Sequence, residues 1–152
     1  ENPYMVHEAL QEIMSNHAGI ERSGPELEKG LEALQELKER AERMAVDGPL
    51  HFNPGWHAVF EVQSMLLLAE AILRGALERK ESRGAHWRND YPDELPEMGK
   101  VNFVQTYQDG RYVIRTEPVP EMPPHLAKLF EAGVAPGVLK QRQAQNGREE
   151  SK

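Results

Sequence analysis

Apolar residues recur at three- and four-residue spacing up to about Lys80 and then give way to β-type runs, so the chain reads as helices followed by strands. Asn2-Pro3 opens the first helix, with Asn as cap and Pro at the first helical position, where its missing N–H has no partner to lose. Val6, Leu10, Ile13, Met14 and His17 then share one face, and Gly19 is the expected C-terminal stop. A second helix is expected from Ser23-Gly24-Pro25-Glu26, whose spacing predicts a capping box. Its stripe of Leu27, Leu31, Leu34, Leu37 or Lys38, Ala41 and Met44 is that of a bundle helix, ended by Gly48-Pro49. Asn53-Pro54 repeats the start signal for a third helix running to about Lys80. It carries Trp56, Val59, Phe60, Leu66, Leu67, Ala69, Leu73, Ala76 and Leu77. Around Met65 to Leu68 it is apolar on nearly every side, which predicts burial by more than one neighbour.

Beyond it, Val101–Tyr107 and Arg111–Val119 are rich in Val, Ile, Thr, Tyr and Phe and are joined through Asp109-Gly110, a hairpin turn signal. Pro118, Pro120, Pro123 and Pro124 force an extended path. A short helix is predicted from about Pro124 to Glu131, with Leu126, Leu129 and Phe130 apolar. The expected fold class is mainly α: a spectrin-repeat-like three-helix bundle followed by a β-hairpin and an irregular C-terminal extension. The expected division is 1–92 as bundle with a docking loop, 93–137 as hairpin and Pro-rich extension packed on it in the same domain, and 138–152 as a disordered tail.

Length and composition narrow the function classes. A chain of 152 residues, 39% hydrophobic and 28% charged, is long enough for one compact domain with its own core. A net charge of -7 argues against nucleic acid and anionic membrane surfaces as partners. With no cysteine, disulfides, thiolate zinc sites and iron–sulfur ligation are excluded within this chain. The apolar stretch Met65–Leu73 is interrupted by Glu70 and is too short to span a bilayer, so no membrane insertion is expected. The start at Glu1-Asn2-Pro3 reads as a cut from a longer protein.

Candidate chemistry is sparse. Neither His51 and His57 nor His7 and His17 have the four-residue helical spacing of a metal pair, and His17 reads as packing at the end of the first apolar face. Glu26, Glu28, Glu32, Glu36 and Glu39 lie on solvated helix faces and nominate no acid–base pair. The serines lack a nucleophile elbow, the glycines form no phosphate loop, and Trp56, Trp87, Tyr91 and Tyr107 read as packing residues. One segment carries more. After Glu78-Arg79-Lys80, the run Glu81-Ser82-Arg83-Gly84-Ala85-His86-Trp87-Arg88-Asn89-Asp90-Tyr91-Pro92 sets guanidinium forks among carboxylates at a helix end.

That run resembles the Glu-Ser-Arg-Gly-Ala-His-x-Arg-x-Asp-x-Pro signature of succinate dehydrogenase and fumarate reductase flavoprotein subunits. L-aspartate oxidases carry a related version that usually differs at the positions of Ala85 and Arg88. The resemblance extends back through Asn53-Pro54-Gly55-Trp56 and Met14 to Ile20, and forward into the hairpin. It implies a C-terminal structural or docking domain that packs against its own flavin-binding domain and is not catalytic alone. FAD would belong to the parent subunit and not to this fragment, with an iron–sulfur subunit as further partner and the parent complex at the cytoplasmic face of the membrane. The family's flavin-contacting and catalytic motifs have no match here, so no catalytic, cofactor or metal residue is carried over. Arg83, His86, Arg88 and Asp90 match the signature and are expected to hold the loop and its domain interface. The alternatives are the corresponding domain of an L-aspartate oxidase and a stand-alone helical interaction module.

Overall fold

The computed structural model describes residues 1–49 and 51–131, which fall into two units, Glu1–Pro118 and the residues from Val119 onward. The expected tail at 138–152 and the extension from 132 to 137 lie outside the described residues.

In the first unit, helix α1 spans Pro3–His17, α2 Gly24–Ala41 and α3 Pro54–Glu78. Two of the three starts follow from local sequence. Asn2 Oδ1 accepts the Tyr4 N–H at 2.9 Å and Asn53 Oδ1 accepts the Gly55 N–H at 3.0 Å, each beside a proline at the first turn. The expected capping box at α2 does not form. Ser23 makes no side-chain cap, and Glu26 turns to Lys29 at 2.7 Å and His17 at 3.2 Å. Asp90, 66 residues away, takes the Gly24 N–H instead at 2.9 Å, because an ionised carboxylate is the stronger acceptor.

The helix ends also depart from expectation. Gly19 does not adopt positive φ, and α1 closes through the Ala18 N–H on Met14 O. Helix α2 stops at Ala41 instead of continuing to Gly48-Pro49. The N-terminal residue takes up the backbone there: the Glu1 ammonium donates to Arg43 O at 2.5 Å, and the Ala45 N–H donates to Glu1 O at 2.9 Å. Those bonds hold the segment out of helical register, while Gly48 takes φ +98° in the connection to α3.

Helices α1, α2 and α3 pack on one another around Val6 and Leu10, Leu27, Leu34, Leu37 and Ala41, and Val62, Leu66, Ala69, Leu73 and Ala76. The three helices come close together at Gly30, where an added Cβ would lie 2.7 Å from His17 Cβ and 3.0 Å from Leu73 Cδ2. Buried Glu70 is held between Lys38 and Arg74. Burial pushes its pKa up, but the hydrogen bonds from the two cations outweigh that and the net shift is downward. At 25 residues, α3 is long and apolar enough by length and composition to cross a membrane, a longer run than the Met65–Leu73 stretch alone suggests. Here it packs against α1, α2 and the hairpin strand that follows.

The hairpin, β3 (Val101–Gln108) and β4 (Arg111–Pro118), lies against α3. Asp109 and Gly110 both take positive φ, 51° and 78°, as a two-residue turn matched to strand twist requires. Gln105 Nε2 donates to Ala71 O at 2.8 Å and Tyr112 Oη to Leu67 O at 2.7 Å. Gly75 makes the approach possible, since a Cβ there would meet Gln105 Nε2 at 2.5 Å. The burial expected for the all-apolar stretch of α3 is only partial: Leu66 is buried, but Leu68 is 62% exposed and Ile72 is exposed beside α1. Two further two-residue strands, β1 (Glu21–Arg22) and β2 (Trp87–Arg88), pair in parallel and join the chain before α2 to the loop after α3.

In the second unit, α4 spans Pro124–Glu131, starting on bonds from the Leu126 and Ala127 N–H groups to Pro123 O. The architecture is thus a mainly α domain with an antiparallel hairpin, with four α-helices among the described residues.

Candidate functional site

The site forms where α3 ends. A helix C-terminus leaves carbonyls without partners, and the negative end of its dipole favours a cation. Arg88 fills both needs. Its Nη1 donates to Ala76 O at 2.7 Å, Leu77 O at 3.2 Å and Arg79 O at 3.3 Å, and the residue is 1% exposed. Its other edge meets Asp90 as a fork, Nε to Oδ1 and Nη2 to Oδ2, both at 2.8 Å. Asp90 Oδ2 also accepts the Gly24 N–H. One ion pair therefore puts a cation on the C-terminus of α3 and an anion on the N-terminus of α2. The hydrogen bonds from Arg88, and then that from the Gly24 amide, hold the Asp90 carboxyl far below the usual carboxylate range.

Glu81 is the second centre. It is 0% exposed and accepts from Arg83 Nε at 3.0 Å, Arg83 Nη2 at 3.1 Å, the Leu95 N–H at 2.9 Å, and Arg79. The Arg83 bonds foremost draw its pKa down to about 2 against the cost of burial. Arg83 in turn donates to Leu95 O at 2.8 Å and pairs with Glu94 at 2.5 Å. Ser82 ties the loop from inside, accepting the Arg88 N–H at 2.8 Å and donating to Tyr91 O at 2.9 Å.

The turn from Arg83 to His86 closes by two backbone bonds, Arg83 N–H to His86 O at 2.8 Å and His86 N–H to Arg83 O at 3.0 Å. Gly84 sits in it at φ +59° with open space around a notional Cβ, so the demand for glycine is torsional. The turn sets the His86 ring between Arg22 Nη1 and Arg79 O, each 3.1 Å away. An arginine only donates and a carbonyl only accepts, so Nδ1 is the acceptor and Nε2 carries the proton. Burial first, and then the charges of Arg22, Arg88 and Arg79, push the His86 pKa down. The ring is neutral.

The structure thus brings Arg83, His86, Arg88 and Asp90 to one end of the first unit, but engages them with that unit's own backbone and carboxylates. Sequence reasoning left out Glu81, Ser82, Arg79, Arg22 and Gly24. The first two stand inside the signature itself and were legible there. Arg22 and Gly24 carry no signal, because only the β1–β2 pairing brings them near. Both carboxylates are held ionised and both His86 nitrogens are occupied, so the arrangement is suited to holding chain segments and not to moving protons. Among the described residues, no group of three or more His, Asp and Glu is placed to hold a metal ion.

Residues 7–125 match the family described as fumarate reductase flavoprotein C-term. The chain belongs to this family. As a C-terminal region of a succinate dehydrogenase/fumarate reductase flavoprotein subunit, it is 43% identical over 93 residues to the fumarate reductase flavoprotein subunit of Helicobacter pylori, covering 60% of this chain and 13% of that protein. The structure of Mycobacterium smegmatis Sdh1 in complex with UQ1 superposes with a TM-score of 0.79 at 38% identity, over 86% of this chain and 23% of that one. Adenylylsulfate reductase from Archaeoglobus fulgidus superposes with a TM-score of 0.71 at 28% identity, over 78% of this chain and 19% of that one. The flavoprotein C-terminal domain described here therefore spans 13% to 23% of the length of these relatives.

Proposed function

We propose that this chain is the structural C-terminal domain of an FAD-dependent flavoprotein subunit that interconverts succinate and fumarate, and that it takes no part in the chemistry itself. The observation that carries this reading is how the signature side chains are used. Arg88, Asp90, Glu81 and His86 are each engaged by helix ends, loop backbone or ion-pair partners of the same domain. The likeness to an adenylylsulfate reductase supports it, because a domain found in enzymes with different names and substrates is a scaffold and not a substrate selector.

On this reading α1–α3 are a spectrin-repeat-like bundle, and Arg83, His86, Arg88 and Asp90 hold the loop in the shape that meets the flavin-binding domain of the parent subunit. FAD sits in that domain, electrons leave to an iron–sulfur subunit, and the parent complex lies at the cytoplasmic face of the membrane. The domain itself neither inserts into the bilayer nor binds nucleic acid. The chain supplied with FAD, succinate and an artificial electron acceptor is expected to give no turnover; robust turnover would overturn the proposal. In the complete subunit, Arg83→Ala is expected to weaken domain docking and flavin retention. Unchanged flavin content and thermal stability would remove the docking role.

A further inference from the structure

We infer that Arg22 is a docking point for a carboxylate side chain from the flavin-binding part of the parent subunit. The inference rests on the docking reading above and goes beyond it in naming the contact. Arg79 and Arg83 pair with Glu81, and Arg88 pairs with Asp90. Arg22 has no carboxylate within ion-pair distance among the described residues, although it stands in the same cluster.

Its guanidinium is nevertheless fixed. Nε donates to Gly19 O at 2.6 Å and Nη1 to His86 Nδ1 at 3.1 Å, while its own carbonyl accepts the Asn89 N–H at 2.8 Å. Nη2 makes no hydrogen bond among the described residues. It is not sealed in either, because the buried side-chain polar atom without a partner among the described residues is Gln105 Oε1. A half-buried guanidinium held at Nε and at Nη1, with Nη2 unengaged among the described residues, keeps N–H donors for a carboxylate. Burial without a counter-charge also disfavours its cationic form.

The surroundings raise the demand for an anion. Arg22, Arg79 and Arg88 all press positive charge on His86, whereas the chain as a whole carries -7. Glu21 does not meet the demand. In the strand pair it is in register with exposed Trp87, so it lies on the face opposite Arg22 and Arg88. A preformed, partly desolvated arginine is the kind of group that dominates an interface once a partner covers it. The tethered remainder of the subunit is the favoured source. On that reading, a chain that spans 13% to 23% of its matched relatives would face the rest of the subunit at an effective concentration of roughly millimolar.

Arg22→Lys, made in the complete flavoprotein subunit, puts an amine at the same place. A water-soluble carbodiimide joins an amine to a carboxylate in contact with it, and peptide mass mapping then locates the bond. The expected product links position 22 to an Asp or Glu outside residues 1–152. A longer amine-to-amine reagent, applied to the unaltered subunit, reports docking independently. Long-reach links with no link from position 22, or one only to a carboxylate within residues 1–152, would overturn the Arg22 pairing and leave docking intact. Absence of both would remove the docking reading as well. In the same subunit, Arg22→Gln is expected to lower flavin retention about tenfold, with a smaller loss in Arg22→Lys. Equal retention in the two variants would show that the charge at position 22 does not matter.

Discussion

Arg88 and Asp90 form one bidentate ion pair whose two members serve different helices, the cation closing α3 and the anion opening α2. Two residues of a single loop thereby fix the relation between helix ends that lie more than fifty residues apart in sequence.

Arg88→Ala should consequently be among the most damaging single substitutions. It strands the Ala76 and Leu77 carbonyls at the end of α3 and leaves Asp90 without its cation, a loss of about 3 kcal/mol. Arg88→Lys should recover only part of this, because an ammonium cannot make the fork to Asp90 and reach the carbonyls together. Urea unfolding of the two variants beside the parent chain checks the order. Equal stabilities for parent and Arg88→Ala would remove the clamp as a source of stability.

Acid should destabilise the domain in two stages. His86 has a folded pKa below its ordinary value of about 6.5, so the unfolded chain binds its proton first and stability falls as pH drops below that value. Glu81, drawn to about 2, and Asp90, also lowered, contribute stability that is full above the usual carboxylate range and is lost as pH falls from about 4 toward 2. Melting temperature followed from pH 8 downward should therefore decline twice. His86→Gln should flatten the first decline and leave the second in place.

The helix caps give a sharper contrast. Asn53→Ala removes an acceptor that Gly55 uses and should cost about 1 kcal/mol. Ser23→Ala, at a position that looks equally good on paper, should stay within about 0.5 kcal/mol because its hydroxyl caps nothing. Chemical denaturation of both variants decides this, and a larger loss at Ser23 than at Asn53 would contradict the assigned caps.

At Gly30 two effects compete. Alanine is the better helix former by about 1 kcal/mol. Its methyl group would nonetheless sit 2.7 Å from His17 Cβ, and overpacking of that kind costs about 1–3 kcal/mol. Gly30→Ala should be destabilising on balance, and less so in a His17→Gly background, because only glycine removes the Cβ that the new methyl group meets. A double-mutant unfolding cycle measures the coupling.

Much of this was legible beforehand, for local reasons. The Asn-Pro starts at Asn2 and Asn53, the stripe from Leu27 to Ala41, the hairpin across Asp109-Gly110 and the helix at Pro124–Glu131 each depend on residues within a few positions of one another. The capping box at Ser23 and the continuation of α2 to Gly48 were misjudged because distant groups intervened. Asp90 reached the Gly24 amide, and Glu1 took the backbone of Arg43 and Ala45. Within the loop, Arg83, His86, Arg88 and Asp90 could be nominated from the signature. Their partners at Arg22, Gly24 and the end of α3 could not, since no short-range pattern marks an acceptor that a fold will bring near.

By itself the sequence determined where helices and hairpin form, which helix faces are apolar, and which family the signature loop belongs to. All of these are properties of spacing and residue type. The tertiary structure alone decided what the loop does: it made Arg88 the cap of α3 and Asp90 the cap of α2, fixed the neutral tautomer of His86, and left Arg22 without a carboxylate partner among the described residues. Those outcomes depend on the pairing of β1 with β2, two residues against two, which carries too little sequence to be read and acquires its place only when α1, α2 and α3 pack and bring Arg22 beside Arg88.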